Sequence, residues 1–104
     1  NEPHPADLPY PEAKEFLNAY KAKFGEIPSS PWPIYAADAL NIIAHAIDKT
    51  GSTKSDVLAD YLRNKVDGVP GITGPIGFTA EGDREGVPFY LYVVDGAGKI
   101  VVSK

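Results

Sequence analysis

The sequence predicts an α/β fold in which three helices precede a short strand and a C-terminal β-hairpin. Apolar residues recur at helical spacing through residues 11–66. Side chains then alternate over residues 87–94, and the turn signal at residues 95–98 precedes a second apolar run. Hydrophobic residues make up 43% of the 104-residue chain and charged residues 23%, which is typical of a globular protein.

A proline-rich lead, residues 1–10, opens the chain. Proline fixes φ and disfavours helical backbone at the residue before it, so we expect this lead to be extended and mostly outside regular structure. Pro11 suits the first position of a helix. We therefore predict a helix from Pro11 to about Lys23, capped by Gly25. Its apolar face comprises Phe16, Leu17, Tyr20 and Phe24.

The second predicted helix starts near Trp32, with Pro33 in its first turn, and stops at Gly51. It is apolar nearly all round except for a narrow polar stripe, formed by Asp38, Asn41, His45 and Asp48. Such a helix is normally buried on most sides. Because so short a chain offers little protein to surround it, we expect further polypeptide or a partner to cover part of it. The chain contains no methionine, and we expect it to be part of a longer protein.

The third predicted helix begins with a capping box of Thr53 and Asp56 and ends before Gly68 and Pro70. Its apolar face comprises Val57, Leu58, Tyr61, Leu62 and Val66.

The remaining residues predict β structure. Residues 71–78 contain a short strand, and residues 79–86 form a turn-rich loop. Residues 87–94 alternate with apolar or aromatic side chains on both faces, which predicts a longer strand. Residues 99–103 provide the returning strand of a hairpin. Because an isolated hairpin is only marginally stable, we expect other structure to cover it.

Composition and motifs disfavour several classes of function. The net charge is −4, so a nucleic-acid partner is not expected. The absence of cysteine excludes disulfides, thiolate zinc sites and cysteine nucleophiles. His4 and His45 lack metal-ligand spacing, and residues 81–83 lack the ligand series of a calcium loop. Neither a phosphate-binding loop nor a nucleophile motif is present, so we expect a protein that is not an enzyme and needs no metal or cofactor.

The order of several short motifs resembles one protein family. These motifs are Tyr20, Phe24 and Gly25; Ala37-Asp38-Ala39; Thr50-Gly51-Ser52; Gly74-Pro75-Ile76-Gly77-Phe78; Glu81-Gly82-Asp83; and Gly98-Lys99-Ile100-Val101-Val102. From Phe16 to about Val102 this order is similar to the last third of the leucine/isoleucine/valine-type periplasmic binding proteins of ABC transporters. One departure is that the family often has Tyr-Asp-Ala in the middle helix, whereas Ala37 stands here at the tyrosine position and Tyr35 lies two residues earlier.

The resemblance implies a type I periplasmic-binding-protein fold, in which two α/β lobes, joined by three crossings, close on a small molecule. Residues 11–86 would belong to the first lobe and residues 87–104 to the second. Family members hold the ligand's amino and carboxylate groups mostly through residues upstream of this segment. Here the start of the middle helix would line the cleft. The ligand-binding residues would be Trp32 and its neighbours Ile34 and Tyr35.

The resemblance also implies a biological role. The protein would capture a branched-chain amino acid, an amide or an aromatic acid outside the cytoplasm and deliver it to the membrane permease of an ABC transporter. One alternative is a ligand-sensing receptor or regulatory domain of the same fold. Another is a self-associating chain without ligand function, a homo-oligomer that buries the middle helix and the strand at residues 89–94. For the two aromatic residues, the alternative to a ligand contact is structural: Trp32 packs the helix start onto the core, and Tyr35 lies in the core or at its rim.

Overall fold

A computed structural model describes residues 3–87 and 89–103 and confirms the order of three helices followed by β structure. Helices α1, α2 and α3 span Pro11–Phe24, Trp32–Thr50 and Ser55–Asn64. Strands β1, β2, β3 and β4 span Gly77–Phe78, Arg84–Glu85, Tyr92–Val94 and Ile100–Val102. Two antiparallel pairs form, β1 with β2 and β3 with β4. Among the residues described, none of the helices has the length and apolar character that a membrane span requires.

Prolines and glycines set the ends of the first two helices, as the sequence predicts. Pro11 occupies the first turn of α1, and Pro33 the first turn of α2. Gly25 and Gly51 follow these helices in the left-handed conformation, with φ of 84° and 67°. Each amide donates back into the last helical turn, which satisfies a carbonyl that the helix leaves unpaired.

The predicted capping box of α3 is wrong. Lys54 precedes the helix, and no side chain caps the helix start. Ser52, rather than Thr53, bonds the backbone there, because its hydroxyl oxygen accepts from the Lys54 amide at 3.1 Å. The helix therefore begins at Ser55, one residue later than a cap at Thr53 would place it.

Strand positions depart from the predictions because pairing needs a partner as well as an alternating pattern. The turn-rich loop contains β2, which pairs Arg84 with Phe78 and Glu85 with Gly77. The predicted strand at residues 87–94 is shorter, and β3 begins only at Tyr92, opposite Val102 of β4. Pro88 lies outside the described residues.

The core consists of two apolar clusters along one face of α2. The buried residues of this helix recur every fourth position, at Ile34, Asp38, Ile42 and Ala46. The first cluster contains Ile34 with Leu8, Ala13 and Ile72. The second contains Ile42 with Val66 and Ile76. Asp38 thus lies on the buried face between one cluster and the other.

The proline-rich lead packs into the first cluster. Pro5–Asp7 form one turn of 3₁₀ helix, capped by the His4 side chain, which accepts from the Ala6 amide at 3.2 Å. Leu8 is buried directly after this turn. The lead is mostly outside regular structure, as expected, but it also supplies part of the core. Asn1 and Glu2 lie outside the described residues.

One expectation for α2 is wrong. Asp38 does not share an exposed polar stripe with Asn41, since only 4% of the Asp38 surface is accessible. The described chain leaves part of the apolar surface of α2 uncovered, since Leu40 is 69% exposed and Ile43 is 45% exposed. These two residues belong to an outer apolar stripe along the helix, which comprises Ala36, Leu40, Ile43 and Ile47. That further polypeptide or a partner covers this part stays a prediction.

The Tyr92 hydroxyl links the C-terminal hairpin to the lead. It donates to Asp7 Oδ2 at 3.0 Å and accepts from the His4 amide at 2.7 Å. The predicted turn at residues 95–98 is confirmed, and Asp95 Oδ1 stabilises it by accepting from the amides of Ala97 and Lys99. Apolar side chains on this hairpin remain exposed, among them Leu91, Val94 and Ile100.

Candidate functional site

A groove with aromatic walls lies at the start of α2. Trp32, the first residue of the helix, is 66% exposed. Tyr35 lies one turn later and is half-buried, and the two ring centroids are 6.3 Å apart with planes tilted by 49°. The segment after β2 forms the opposite wall. The groove encloses about 510 Å³ and is lined by Trp32, Tyr35, Arg84, Gly86, Val87 and Phe89.

The three residues that the sequence predicts at this site do not share one face of α2. Trp32 and Tyr35 are three positions apart, so they share one side of the helix. Ile34 points into the first core cluster and has no exposed surface. It therefore offers no atom for a ligand to touch, and it anchors the turn of helix that carries the two aromatic rings.

A second, deeper cavity adjoins the groove. It encloses about 230 Å³ and is lined by Tyr35, Asp38, Ala39, Ile42, Ile76, Phe78, Arg84 and Val87. Three residues, Tyr35, Arg84 and Val87, line both spaces. Their side chains therefore separate a mostly apolar inner space from the more open groove.

Asp38 forms a buried polar node beneath these cavities. Its Oδ1 accepts from the Ile72 amide at 2.7 Å. Its Oδ2 accepts from the Thr73 amide at 2.9 Å and from the Thr73 hydroxyl at 2.5 Å. A buried carboxylate is tolerated when such donors replace its water shell. Asp38 thus ties α2 to the loop before β1.

Arg84 extends this node to the wall of the groove. Its Nη1 donates to the Thr73 hydroxyl at 2.8 Å. Its Nη2 lies 3.5 Å from the carbonyl of Gly74 and 3.4 Å from that of Pro75. The Nε atom is buried and has no hydrogen-bond partner among the described residues. These contacts hold the guanidinium in place against the groove.

The sequence does not predict that Thr73 and Arg84 belong to this site. It marks Asp38 by one local signal only. Asp38 lies four residues after Ile34 and four before Ile42, so all three share one face of the helix. That spacing places a carboxylate on an apolar face. No comparable local pattern marks Thr73 or Arg84, because their roles depend on contacts made across the fold.

Within residues 3–87 and 89–103, no three His, Cys, Asp or Glu side chains come together where a metal ion would bind. His45 Nε2 lies 3.3 Å from the Tyr61 hydroxyl, a contact that links α2 to α3.

Comparison with known proteins gives consistent results. A family model described as "Periplasmic binding protein" matches residues 1–99. The "Leucine-, isoleucine-, valine-, threonine-, and alanine-binding protein" of Pseudomonas aeruginosa is 33% identical over 82 residues, which cover 79% of this chain and 21% of that protein. The crystal structure of the leucine binding protein LivK from Thermotoga maritima superposes with a TM-score of 0.80 at 26% identity. That match covers 100% of this chain and 29% of the solved one. The chain thus spans less than a third of the length of these relatives.

Proposed function

The chain belongs to the periplasmic binding protein family, and from that premise we propose that the protein containing it captures a small organic solute without chemically changing it. The solute is a branched-chain amino acid, an amide or an aromatic acid. The protein then delivers it to the membrane permease of an ABC transporter, which requires an extracytoplasmic location. The relatives that carry solute-binding names support the class of function.

The groove beside Trp32 is the observation that carries this proposal. Ligand sites are typically concave and mostly apolar, with a few polar groups that fix orientation. Trp32, Tyr35 and Phe89 supply flat apolar surfaces here, and Arg84 supplies a charged donor. These lining residues include no nucleophile paired with a base, so the groove is suited to holding a solute rather than transforming it. Trp32 and Tyr35 are the proposed contacts, and Ile34 supports them from the core.

The second part of the proposal is that this chain forms one portion of a two-lobed protein. Residues 11–86 belong to the first lobe, residues 87–104 form a hairpin of the second lobe, and residues 1–10 are a lead that precedes the first-lobe part. The small share of each relative that the chain covers supports this division. So does its radius of gyration of 15.8 Å, since an independent domain of about 100 residues has a radius near 13 Å.

The outer apolar stripe of α2 fits the same proposal. Leu40 and Ile43 expose apolar surface on one side of a helix whose opposite face packs on the core. In α/β lobes, helices pack on the faces of a sheet and against neighbouring helices, which cover their apolar sides. We assign the rest of the first lobe as the cover of this stripe.

Calorimetric titration of the full-length protein tests the proposed function. The panel contains leucine, isoleucine, valine, threonine and alanine, with small amides and aromatic carboxylates beside them. We expect at least one solute to bind, and Trp32→Ala to weaken its binding by about tenfold or more, because the aromatic surface that the solute covers in the groove is lost.

Phe24→Ala is the matched control, since Phe24 is a 60% exposed aromatic residue at the end of α1 and outside the groove. It should leave affinity unchanged. A folded protein that binds nothing in the panel would contradict solute capture. An unchanged affinity in Trp32→Ala would contradict the assignment of the groove.

A further inference from the structure

The groove at the start of α2 has aromatic side chains from two separate parts of the chain. Trp32 lines it from the helix and is 66% exposed. Phe89 lines it from the segment after β2 and is 80% exposed. An exposed aromatic ring beside a concave space offers rigid apolar area, which a bound molecule can cover at a small loss of conformational freedom. The groove therefore has a second aromatic face that the residues of α2 do not supply.

The position of Phe89 depends on how the C-terminal segment is held. Tyr92 lies three residues further along the chain, and its hydroxyl bonds the lead twice. It donates to Asp7 Oδ2 at 3.0 Å and accepts from the His4 amide at 2.7 Å. Three residues span at most about 10 Å even when fully extended. The contact at Tyr92 therefore restricts where the ring of Phe89 can lie.

The two faces of the groove are attached to the same apolar cluster. Ile34 belongs to the first core cluster and lies in the helical turn that carries Trp32. Leu8 belongs to that cluster too, and it directly follows Asp7, the acceptor of the Tyr92 hydroxyl. Close-packed cores deform little, so groups attached to one cluster keep their relative positions. The separation of the two aromatic faces thus depends on the Tyr92 hydroxyl.

From this arrangement we propose that Phe89 is a ligand-binding residue, that the solute lies between its ring and Trp32, and that Tyr92 is the positioning residue for this wall. This inference rests on the proposed function and adds two residues to its site. Phe89 touches the solute, and Tyr92 acts through Phe89. The arrangement favours a solute with apolar surface on two opposite sides.

The first test removes the ring of Phe89 from the full-length protein. The probe is whichever of leucine, isoleucine, valine, threonine, alanine, acetamide and phenylacetate the unmodified protein binds most tightly in calorimetric titration. We expect Phe89→Ala to weaken its binding by about tenfold or more. Phe24→Ala removes an exposed ring outside the groove and should leave affinity within about twofold. An unchanged affinity in Phe89→Ala would overturn the assignment of this contact.

The second test removes only the hydroxyl that positions the wall. Tyr92→Phe should weaken binding by about fivefold, the effect of losing a typical hydrogen bond. Tyr20→Phe is the matched control, since Tyr20 is a half-buried tyrosine of α1 outside the groove, and it should leave affinity within about twofold. A residue that only supports the fold would change stability but not the affinity of the folded protein. That outcome in Tyr92→Phe would overturn its positioning role.

A double-mutant cycle separates action through Phe89 from a general effect. In the Phe89→Ala background, Tyr92→Phe should cause no further loss of affinity beyond about twofold, because the ring that it positions is absent. If the full loss persists in that background, Tyr92 does not act through Phe89 and the inference fails.

Substitutions of Asp7 test the same contact from the lead. Asp7→Ala removes the acceptor and should weaken binding as Tyr92→Phe does. Asp7→Asn keeps a side-chain oxygen that can accept the hydrogen bond, so it should retain most of the affinity. Equal losses in the two Asp7 variants would contradict the role of this hydrogen bond.

A further variant keeps the inference testable if Phe89→Ala does not fold. Phe89→Leu keeps an apolar side chain without the ring and should weaken binding by about threefold or more. If Trp32→Ala weakens binding but neither substitution of Phe89 does, this inference is refuted and solute capture stands. A folded protein that binds no solute refutes the proposed function itself.

Discussion

The Thr73 hydroxyl donates a hydrogen bond of 2.5 Å to the Asp38 carboxylate, across 35 positions of sequence. The same carboxylate accepts from the Ile72 and Thr73 amides, so one side chain of α2 organises the loop that precedes β1. Because Asp38 lines the inner cavity and lies between the two apolar clusters, this contact joins that cavity to the core.

Asp38→Ala should destabilise the protein strongly. The substitution leaves two buried amides without an acceptor, and each unsatisfied donor costs about 1–3 kcal/mol. We expect the free energy of unfolding to fall by about 3 kcal/mol, measured by urea denaturation.

Asp48→Ala is the matched control for this experiment. Asp48 is an exposed aspartate on the same helix, and its replacement should change stability by less than about 0.5 kcal/mol. Similar losses in both variants would contradict the structural role of Asp38.

Local chemistry predicts the ends of the helices better than it predicts the site. Pro11, Gly25 and Gly51 act on their own backbone, so their effects are visible in a short stretch of sequence. The burial of Asp38 depends on a loop more than 30 positions away. The hydrophobic pattern of α2 shows that it is apolar, but not which face meets the core.

The same distinction applies to the groove. The spacing of Trp32 and Tyr35 brings their rings together through helix geometry alone. The opposite wall, formed by Gly86, Val87 and Phe89, follows the β1–β2 pair, and its position depends on tertiary packing. Arg84 lies in a stretch that the sequence predicts as loop, and pairing with β1 turns that stretch into a strand.

Gly74→Ala should lower the free energy of unfolding more than the same change at another glycine with positive φ. Gly74 has a φ of 102°, and an added Cβ would lie 2.7 Å from Cζ of the Tyr10 ring. Left-handed backbone alone costs a non-glycine residue about 1–2 kcal/mol, and crowding against the ring adds about 1–3 kcal/mol. Thermal or urea unfolding measures the sum.

Gly98→Ala isolates the backbone contribution, because Gly98 has a φ of 78° and nothing lies within 4 Å of its added Cβ. Replacing Tyr10 by Ala in the Gly74→Ala background should recover the crowding part, in a double-mutant cycle. If Gly74→Ala lowers the free energy of unfolding no more than Gly98→Ala does, the Tyr10 ring moves aside without cost and the prediction is wrong.

Tyr92 should make stability fall at alkaline pH. Burial raises the pKa of its phenol above the usual 10.0, and the hydrogen bond that it donates to Asp7 acts in the same direction, while the His4 amide opposes them. The folded state therefore holds this proton more tightly than the unfolded state does. The resulting stability is complete below pH 10 and is lost as pH rises through the higher folded pKa.

Urea denaturation at a series of pH values from 8 to about 11 measures this dependence. Tyr92→Phe should flatten the alkaline decline and lower stability at pH 8 by about 1 kcal/mol, because its hydrogen bonds to the lead are lost. Tyr90 has a pKa raised mainly by burial, so part of the decline should remain in this variant. An alkaline decline of undiminished slope in Tyr92→Phe would contradict the prediction.

Leu40 tests whether further polypeptide covers the outer stripe. In the described chain this side chain is 69% exposed, so on its own the structure predicts that Leu40→Asp is nearly neutral. If the rest of a lobe packs on the stripe, the full-length protein must bury an uncompensated carboxylate there. We expect a loss of about 3 kcal/mol or more in the unfolding free energy of the full-length protein.

Asn41→Asp introduces the same side chain at the next, exposed position and should change stability by less than about 0.5 kcal/mol. Equal, small effects of both substitutions in the full-length protein would mean that the stripe remains open to solvent, and the two-lobed arrangement proposed for this helix would then be wrong.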